Sequence, residues 1–456
     1  AFSAQESYNE SLRPQFHFTA PKGWLNDPNG PVFYAGEYHL FYQHNPNGPN
    51  WISDLSWGHA TSSDLLHWRN LPPVLPPTPV SSGKTAGSWS GTAAIDWNNR
   101  SGFQDGTNKG IVVAWTAAGF GQCIAFSNDR GATFTKWTNN PVIPFPAIGE
   151  ARDPKIFWHE PTGRWILVLW ESKVKGFTFY ASTDLKQWTA LSSVPGFFEC
   201  PDFFEIAIDG NVNTKKWILW DASSKYLIGR FDGTNFNAES EAFRLDAGRS
   251  FYAAQTWSDV PASDGRRLGI GWMRDGKFPG MPFNQQMGIP FELTLKTTAA
   301  GLRLAKVPVR ELTRLRQQTI KKSALTLQEG ETFTLDAGDS ADVEAECDLA
   351  QSGEVEFGIH GQSIRCTAKA ITSGKESAPL PERNNHLKLR LLVDRASIEV
   401  FANDGLASLS RSIPSSAEKQ ILKVQAISGS VQLRPLVIHK MGSVWHAGGE
   451  DLSASR

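Results

Sequence analysis

Short, almost unbroken apolar runs recur along the first part of the chain: Tyr38-His-Leu-Phe-Tyr42, Ile111-Val-Val-Ala-Trp115, Trp165-Ile-Leu-Val-Leu-Trp170, Trp217-Ile-Leu-Trp220 and Leu268-Gly-Ile-Gly-Trp272. Each reads as a short β-strand. Apart from a longer first interval, their starts lie about 50 residues apart, the repeat length of a four-stranded propeller blade. Several are followed by a second element: Ser63-Asp-Leu-Leu-His-Trp68, Ser127-Asn-Asp-Arg-Gly-Ala-Thr-Phe-Thr-Lys-Trp137 and Ser182-Thr-Asp-Leu-Lys-Gln-Trp188, with a looser copy in Phe231-Asp-Gly-Thr-Asn-Phe236. These read as a Ser/Asp turn that opens an outer strand on an aromatic residue, because Ser and Asp side chains bond the backbone of the residues that follow. The pattern predicts an all-β chain beginning with a five-bladed β-propeller over residues 1–306.

Beyond it the style changes. Val307-Pro-Val-Arg-Glu-Leu-Thr-Arg-Leu-Arg316 is short and amphipathic, and predicts a helical linker within residues 307–319. Phe333-Thr-Leu335, Val343-Glu-Ala-Glu-Cys347, Val355-Glu-Phe357, Leu387-Lys-Leu-Arg-Leu391 and Ser397-Ile-Glu-Val-Phe401 then alternate apolar with polar positions, and Asn403-Asp-Gly405 supplies a turn. Period-2 strands with no helical run predict a C-terminal β-sandwich over residues 320–456.

Charge narrows the partners. Lys+Arg 45 against Asp+Glu 46 leaves a formal net charge of -1 with no basic tail, so nothing favours nucleic acid or an anionic membrane, and a neutral ligand fits better. No apolar stretch reaches the roughly 20 residues of a membrane span. A start at Ala1, with neither Met nor a signal-peptide pattern, points to a processed, secreted protein. Asn9-Glu-Ser11 and Asn99-Arg-Ser101 match the glycosylation triplet, a weak signal alone. Cys123, Cys200, Cys347 and Cys366 lack metal-ligand spacing, although Cys347 and Cys366 are candidates for pairing. The 17 tryptophans and 27 phenylalanines beside 7 tyrosines suit a β-rich core, and a flat indole face also suits the C–H face of a sugar ring.

The strand before each apolar run should be the innermost of its blade, so the residues opening those strands should converge on the central funnel. Polar motifs occur there: Trp24-Leu-Asn-Asp-Pro-Asn-Gly30, Ser88-Trp-Ser-Gly91, Glu150-Ala-Arg-Asp-Pro154, Phe198-Glu-Cys-Pro-Asp202 and Phe251-Tyr-Ala-Ala-Gln-Thr-Trp257. Asp-Pro and Asn-Gly are ordinary turn dipeptides, and Pro biases the acid before it towards extended backbone. Equivalent placement on different blades is what raises these acids above turns. Close carboxyl groups cannot all ionise together, so one holds a proton while another stays charged, which supplies the acid and nucleophile of glycosidic cleavage. His17, His39, His44, His59 and His67 are scattered without ligand spacing, and Cys200 has no evident His base. No catalytic metal or other cofactor is expected.

This ordered set, together with Ser56-Trp-Gly-His59 and Asp394-Arg-Ala-Ser-Ile-Glu-Val-Phe401, resembles glycoside hydrolase family 32, the invertase, inulinase and levanase group, over nearly the full length. The resemblance implies a propeller followed by a sandwich, and a retaining enzyme that releases fructosyl units from a fructan or sucrose. By position Asp27 would be the nucleophile, Glu199 the acid/base and Asp153 the transition-state stabiliser. Asn26, Gln43, Trp51, Trp89, Ser90 and Arg152 match positions that bind the terminal fructose, and Trp24 one that lines the same pocket. Two departures concern the wall beyond that sugar: Trp51-Ile-Ser-Asp-Leu55 stands where relatives carry Trp-Gly, and Trp89 replaces a commoner Phe. Phe278-Pro-Gly-Met-Pro-Phe-Asn-Gln-Gln-Met287 is closer to microbial fructanases than to invertases, favouring polymer over sucrose. A fructosyltransferase shares these motifs, and a catalytically silent fructan-binding protein is the reading from another class, opposed by the full acid trio. Oligomeric state stays open.

Overall fold

The computed structural model describes residues 8–81, 83–381 and 385–445. Five blades follow one another in sequence, each opening on its innermost strand. These inner strands are Gly23–Tyr34, Ser88–Asp96, Ala151–His159, Asp202–Ile208 and Phe251–Thr256. The second strands, Glu37–Asn45, Gly110–Ala117, Arg164–Glu171, Asn211–Trp220 and Arg267–Met273, carry the five apolar runs. The ring closes where blade five meets blade one: Phe33 N–H donates to Ser258 O and Ser258 N–H to Pro31 O, each at 2.9 Å.

Why the second strands lack alternation is visible in what each face touches. Val113 packs into the core between blades one and two, and its neighbour Val112 into that between blades two and three. Leu167 and Ile166 divide in the same way between the next two cores, as do Leu219 and Ile218 one blade further on. Both faces of every blade are buried, so both phases of the period-2 pattern are apolar. Truncating a residue such as Leu167 to Ala would cost about 2–5 kcal/mol, because neighbours fixed on two sheets cannot collapse into the gap.

Two of the turn motifs are structurally equivalent. Asp64 Oδ1 accepts from the backbone of Leu66 and His67, and Asp184 Oδ1 from that of Lys186 and Gln187. Leu65 and Leu185 adopt φ of 67° and 66°, and the Trp68 and Trp188 indoles donate back to their carbonyls at 3.1 and 2.9 Å.

The fifth blade ends on Gly301–Pro308, a six-residue 3₁₀ turn spans Arg310–Leu315, and Arg316–Lys322 already pairs with Val431–Met441 in the sandwich. The link between the two parts is therefore shorter than the 307–319 segment expected, and it is not an α-helix. Arg316–Lys322 escaped notice because it is a mostly polar edge strand with no alternation to read. The expected strands at 333, 343, 355, 387 and 397 all lie in the sandwich, which packs two sheets around one apolar core. Cys347 and Cys366, the two candidates for pairing, lie on opposite sheets of that core, buried and unbridged.

Sandwich and propeller interlock through buried polar groups. His17 lies between two carboxylates of the late motif, with Nδ1 2.8 Å from Asp394 Oδ2 and Nε2 2.8 Å from Glu399 Oε2. Asp246 accepts from Lys306 Nζ at 2.5 Å and, across the interface, from the Ser408 and Ser410 hydroxyls at 3.1 and 2.7 Å. Gly405, in the predicted turn, has φ 83° and lies so close to the propeller that a Cβ would stand 2.2 Å from Lys306 O.

Candidate active site

Four inner strands break register close to their first residues: between Leu25 and Pro28, Ser88 and Gly91, Arg152 and Lys155, and Tyr252 and Gln255. A bulge takes residues out of the ladder and re-aims their side chains. The residues freed are Asn26-Asp27, Trp89-Ser90, Asp153-Pro154 and Ala253-Ala254. Pro28 and Pro154, having no N–H, suit positions where the ladder is interrupted. In blade four the irregularity falls just ahead of the inner strand, where Glu199 and Cys200 adopt φ of 35° and 43°. Asp153 has φ 64° rather than the extended backbone expected before Pro154. Such conformations cost of order 1–3 kcal/mol each and persist only where surroundings enforce them. Here Thr116 Oγ1 accepts from Asp153 N–H at 2.8 Å, and Asp153 Oδ2 accepts from Cys200 N–H at 3.1 Å, tying two strained turns together.

The bulges of blades one to three meet in one cavity of about 330 Å³, lined by Asn26, Asp27, Gln43, Trp51, Trp89, Ser90, Arg152, Asp153 and Glu199, with Leu55 and Glu150 at its wall. Ser90 Oγ donates to Asp27 Oδ2 at 2.6 Å, and Gln43 Nε2 reaches Ser90 Oγ at 3.3 Å. Glu199 is held from two sides. Arg152 Nη2 donates to its Oε2 at 2.9 Å, and the Tyr252 hydroxyl to its Oε1 at 2.5 Å. The guanidinium also pairs with Glu150 and lies over the Trp170 ring, 4.2 Å from its centroid. Between the two aspartates sits the Cys200 thiol, its sulfur 3.6 Å from Asp27 Oδ2 and from Asp153 Oδ2.

The three carboxyl groups therefore occupy different electrostatic environments. Burial raises the pKa of Asp153 most, the Glu199 charge adds to it and Arg152 opposes, leaving it at about 7. Burial also lifts Asp27 above the usual carboxylate range, against the Ser90 hydrogen bond and with the Glu199 charge. Cys200 is pushed far above an ordinary thiol by burial and by Asp153, Asp27 and Glu199, so it stays a neutral S–H and not a nucleophile.

Of the residues singled out from sequence, Trp24 alone stands apart from the cavity lining. Its indole donates to Asn26 Oδ1 at 2.8 Å and its ring meets Trp272 edge-on, so it orients Asn26 from behind. Asp202, near enough in sequence to replace Glu199 as acid, is buried on Lys155 Nζ at 2.8 Å and Thr256 N–H at 2.6 Å, away from the cavity. Sequence reasoning missed Tyr252, Glu150 and the bridging thiol. Their motifs were visible, but which side chain of Phe251-Tyr-Ala-Ala-Gln-Thr-Trp257 faces Glu199 depends on a bulge that period-2 reading does not foresee. The histidines have local partners: His44 meets Trp24 O, His67 meets Asp64, and His39 and His59 meet each other at 3.0 Å.

Comparison with known proteins matches this geometry to a family. Residues 17–308 fit the glycosyl hydrolases family 32 N-terminal domain, and residues 361–440 the family's C-terminal domain. A levanase of Bacillus subtilis (strain 168) is 39% identical over 98% of this chain and 73% of its own length. An extracellular exo-inulinase of Aspergillus awamori is 29% identical over 96% of both chains. The crystal structure of an exo-inulinase from Aspergillus awamori superimposes with a TM-score of 0.85 at 26% identity, covering 96% of this chain and all of the other. With a five-bladed propeller, a sandwich locked to it and three carboxyl groups in one funnel, the chain is a glycosidase belonging to glycosyl hydrolases family 32.

Proposed function

We propose that this enzyme releases β-D-fructofuranosyl units from fructans of the inulin or levan type, and from sucrose, with retention of configuration. The observation that carries the reading is that Asp27, Asp153 and Glu199, from three blades, share one cavity while each is held by different partners. Asp27 attacks the anomeric carbon as Glu199 passes its proton to the departing oxygen, giving a fructosyl ester on Asp27 and Glu199 as carboxylate. Glu199 then takes a proton from water, which attacks the same carbon, breaks the ester and returns both groups to their starting state. Ser90 keeps Asp27 aimed, and Arg152 and Tyr252 do the same for Glu199. Asp153, deepest of the three, binds fructose hydroxyls and favours the positive character that develops at the anomeric carbon. Asn26, Gln43, Trp51 and Trp89 complete the site for the terminal sugar, with Trp24 positioning Asn26.

A cavity of about 330 Å³ is at the lower end of the size range of small-ligand pockets, which suits one terminal sugar and supports removal of units from chain ends. The likeness to a levanase and to exo-inulinases supports polymer as substrate, and the extracellular naming of one relative supports work outside the cell. The test is product analysis on inulin, levan and sucrose side by side, with methanol added as acceptor. Free fructose and methyl β-fructofuranoside are expected. A dianhydride or longer oligomer as main product would make the chain a transferase, and the α-fructoside would exclude the covalent intermediate.

A further inference from the structure

Inner strands whose first residues reach the acid cavity lead, at their far ends, to a second cavity of about 390 Å³. Ser90 and Asp96 lie on one such strand, six positions apart. That is roughly 20 Å at the usual rise, so this cavity opens on the opposite face of the propeller. Nothing in the proposed reaction uses it.

Its rim is aromatic and fixed. Three aromatic side chains stand out as exposed among the described residues: Trp51, Phe198 and Trp97. Trp51 lines the acid cavity and Phe198 precedes Glu199, whereas Trp97, 49% exposed, lines the second cavity. Trp97 is not a loose side chain. Its indole N–H donates to Asp259 Oδ1 at 2.8 Å, and Asp259 Oδ2 accepts from Ile95 N–H at 3.1 Å. Trp158, also lining the cavity, is held through its N–H by Glu160 and carries the Arg100 guanidinium 5.5 Å from its ring centroid. Arg267 lines the same space, stacked over Phe204 at 5.0 Å, and among the described residues donates to the backbone carbonyls of Glu205 and Trp257 at 3.2 and 3.5 Å. Among the described residues it forms no ion pair, so it keeps donors for a ligand.

Rigid indole faces beside a guanidinium and carboxylates, with both charge signs present, are the chemistry that recognises a neutral, hydroxyl-rich ring. We infer that this cavity is a second carbohydrate site, which holds an internal stretch of the fructan while the acid cavity works on chain ends. The inference rests on the fructan reading above. With the two mouths about 20 Å apart through the propeller, a short oligosaccharide cannot occupy both. The site acts as a tether, raising the local concentration of ends of the same polymer.

The test combines Trp97→Ala with Trp158→Ala and uses Trp97→Phe as the conservative control. Electrophoresis of the native enzyme through gels containing high-mass levan or inulin, with sucrose saturating the acid cavity, should show retardation that the double variant loses and Trp97→Phe largely keeps. KM for the polymer should rise about tenfold in the double variant, with kcat/KM for sucrose unchanged. Undiminished retardation of the double variant, or a parallel fall in sucrose hydrolysis, overturns the proposal. Failure of the fructan reading shows separately, as absence of fructose release by the unaltered enzyme from sucrose and polymer alike, and would remove this proposal with it.

Discussion

The Ser90 hydroxyl, on the inner strand of blade two, donates to Asp27 Oδ2, on the inner strand of blade one, at 2.6 Å. A hydrogen bond to a charged group contributes about 1.5–3 kcal/mol. Ser90→Ala should therefore lower kcat on sucrose by about 10- to 100-fold. Asp27→Asn should lower it roughly 10⁴-fold or more, since the amide keeps the shape but cannot form the ester. Asp27→Asn should leave the fold and fructose binding largely intact. Near-normal turnover by Asp27→Asn, in protein shown by mass to be free of deamidation, would remove Asp27 from its assigned role.

Glu199→Gln separates acid from binding residue. On the acid/base role proposed for Glu199, replacing the carboxyl removes the proton donor, so sucrose should slow by about 10²- to 10⁴-fold. An activated aryl fructoside, whose leaving group departs without protonation, should slow far less in its first step. Equal slowing of both substrates would place Glu199 among the binding residues.

Asp153 sets a pH dependence of stability. An unfolded aspartate titrates near 3.9 and the folded one at about 7, raised by burial and by Glu199, so its contribution is present below about 4 and is lost as pH rises through about 7. Asp153→Asn should leave Tm nearly unchanged at acidic pH and raise it by a few degrees near pH 8, while turnover collapses. A variant less stable than the parent at both pH values would contradict this assignment.

His17 works at higher pH. Burial pulls its pKa down, but the hydrogen bonds and charges of Asp394 and Glu399 outweigh this and raise it to about 9. The interdomain lock is thus fully present below the unfolded value of about 6.5 and is lost as pH rises through about 9. Calorimetry from pH 6 to 10 should show Tm falling at the alkaline end, and His17→Gln should flatten that fall. At pH 6 the variant should be less stable by about 3–5 kcal/mol, because two buried carboxylates lose their cation. An unchanged Tm profile would mean that the imidazole bears no charge there.

The sequence alone determined the β-propeller and the sandwich. Blades repeat, and a strand buried on both faces must be apolar at both phases of its pleat, as in Ile111-Val-Val-Ala-Trp115, whereas a half-buried one alternates, as in Leu387-Lys-Leu-Arg-Leu391. It also places acids at equivalent positions on different blades, Asp27, Asp153 and Glu199 among them. Tertiary structure alone decided how those acids differ. Register shifts at the bulges aim Ser90 at Asp27 and Tyr252 at Glu199, and backbone at φ 64° turns Asp153 towards the Cys200 N–H. Arg152 adjoins Asp153 in sequence yet bonds Glu199 on the next blade. Local pattern specifies which face a side chain occupies, but these contacts join residues tens to hundreds of positions apart, and their electrostatics depend on burial that only the closed ring of blades creates.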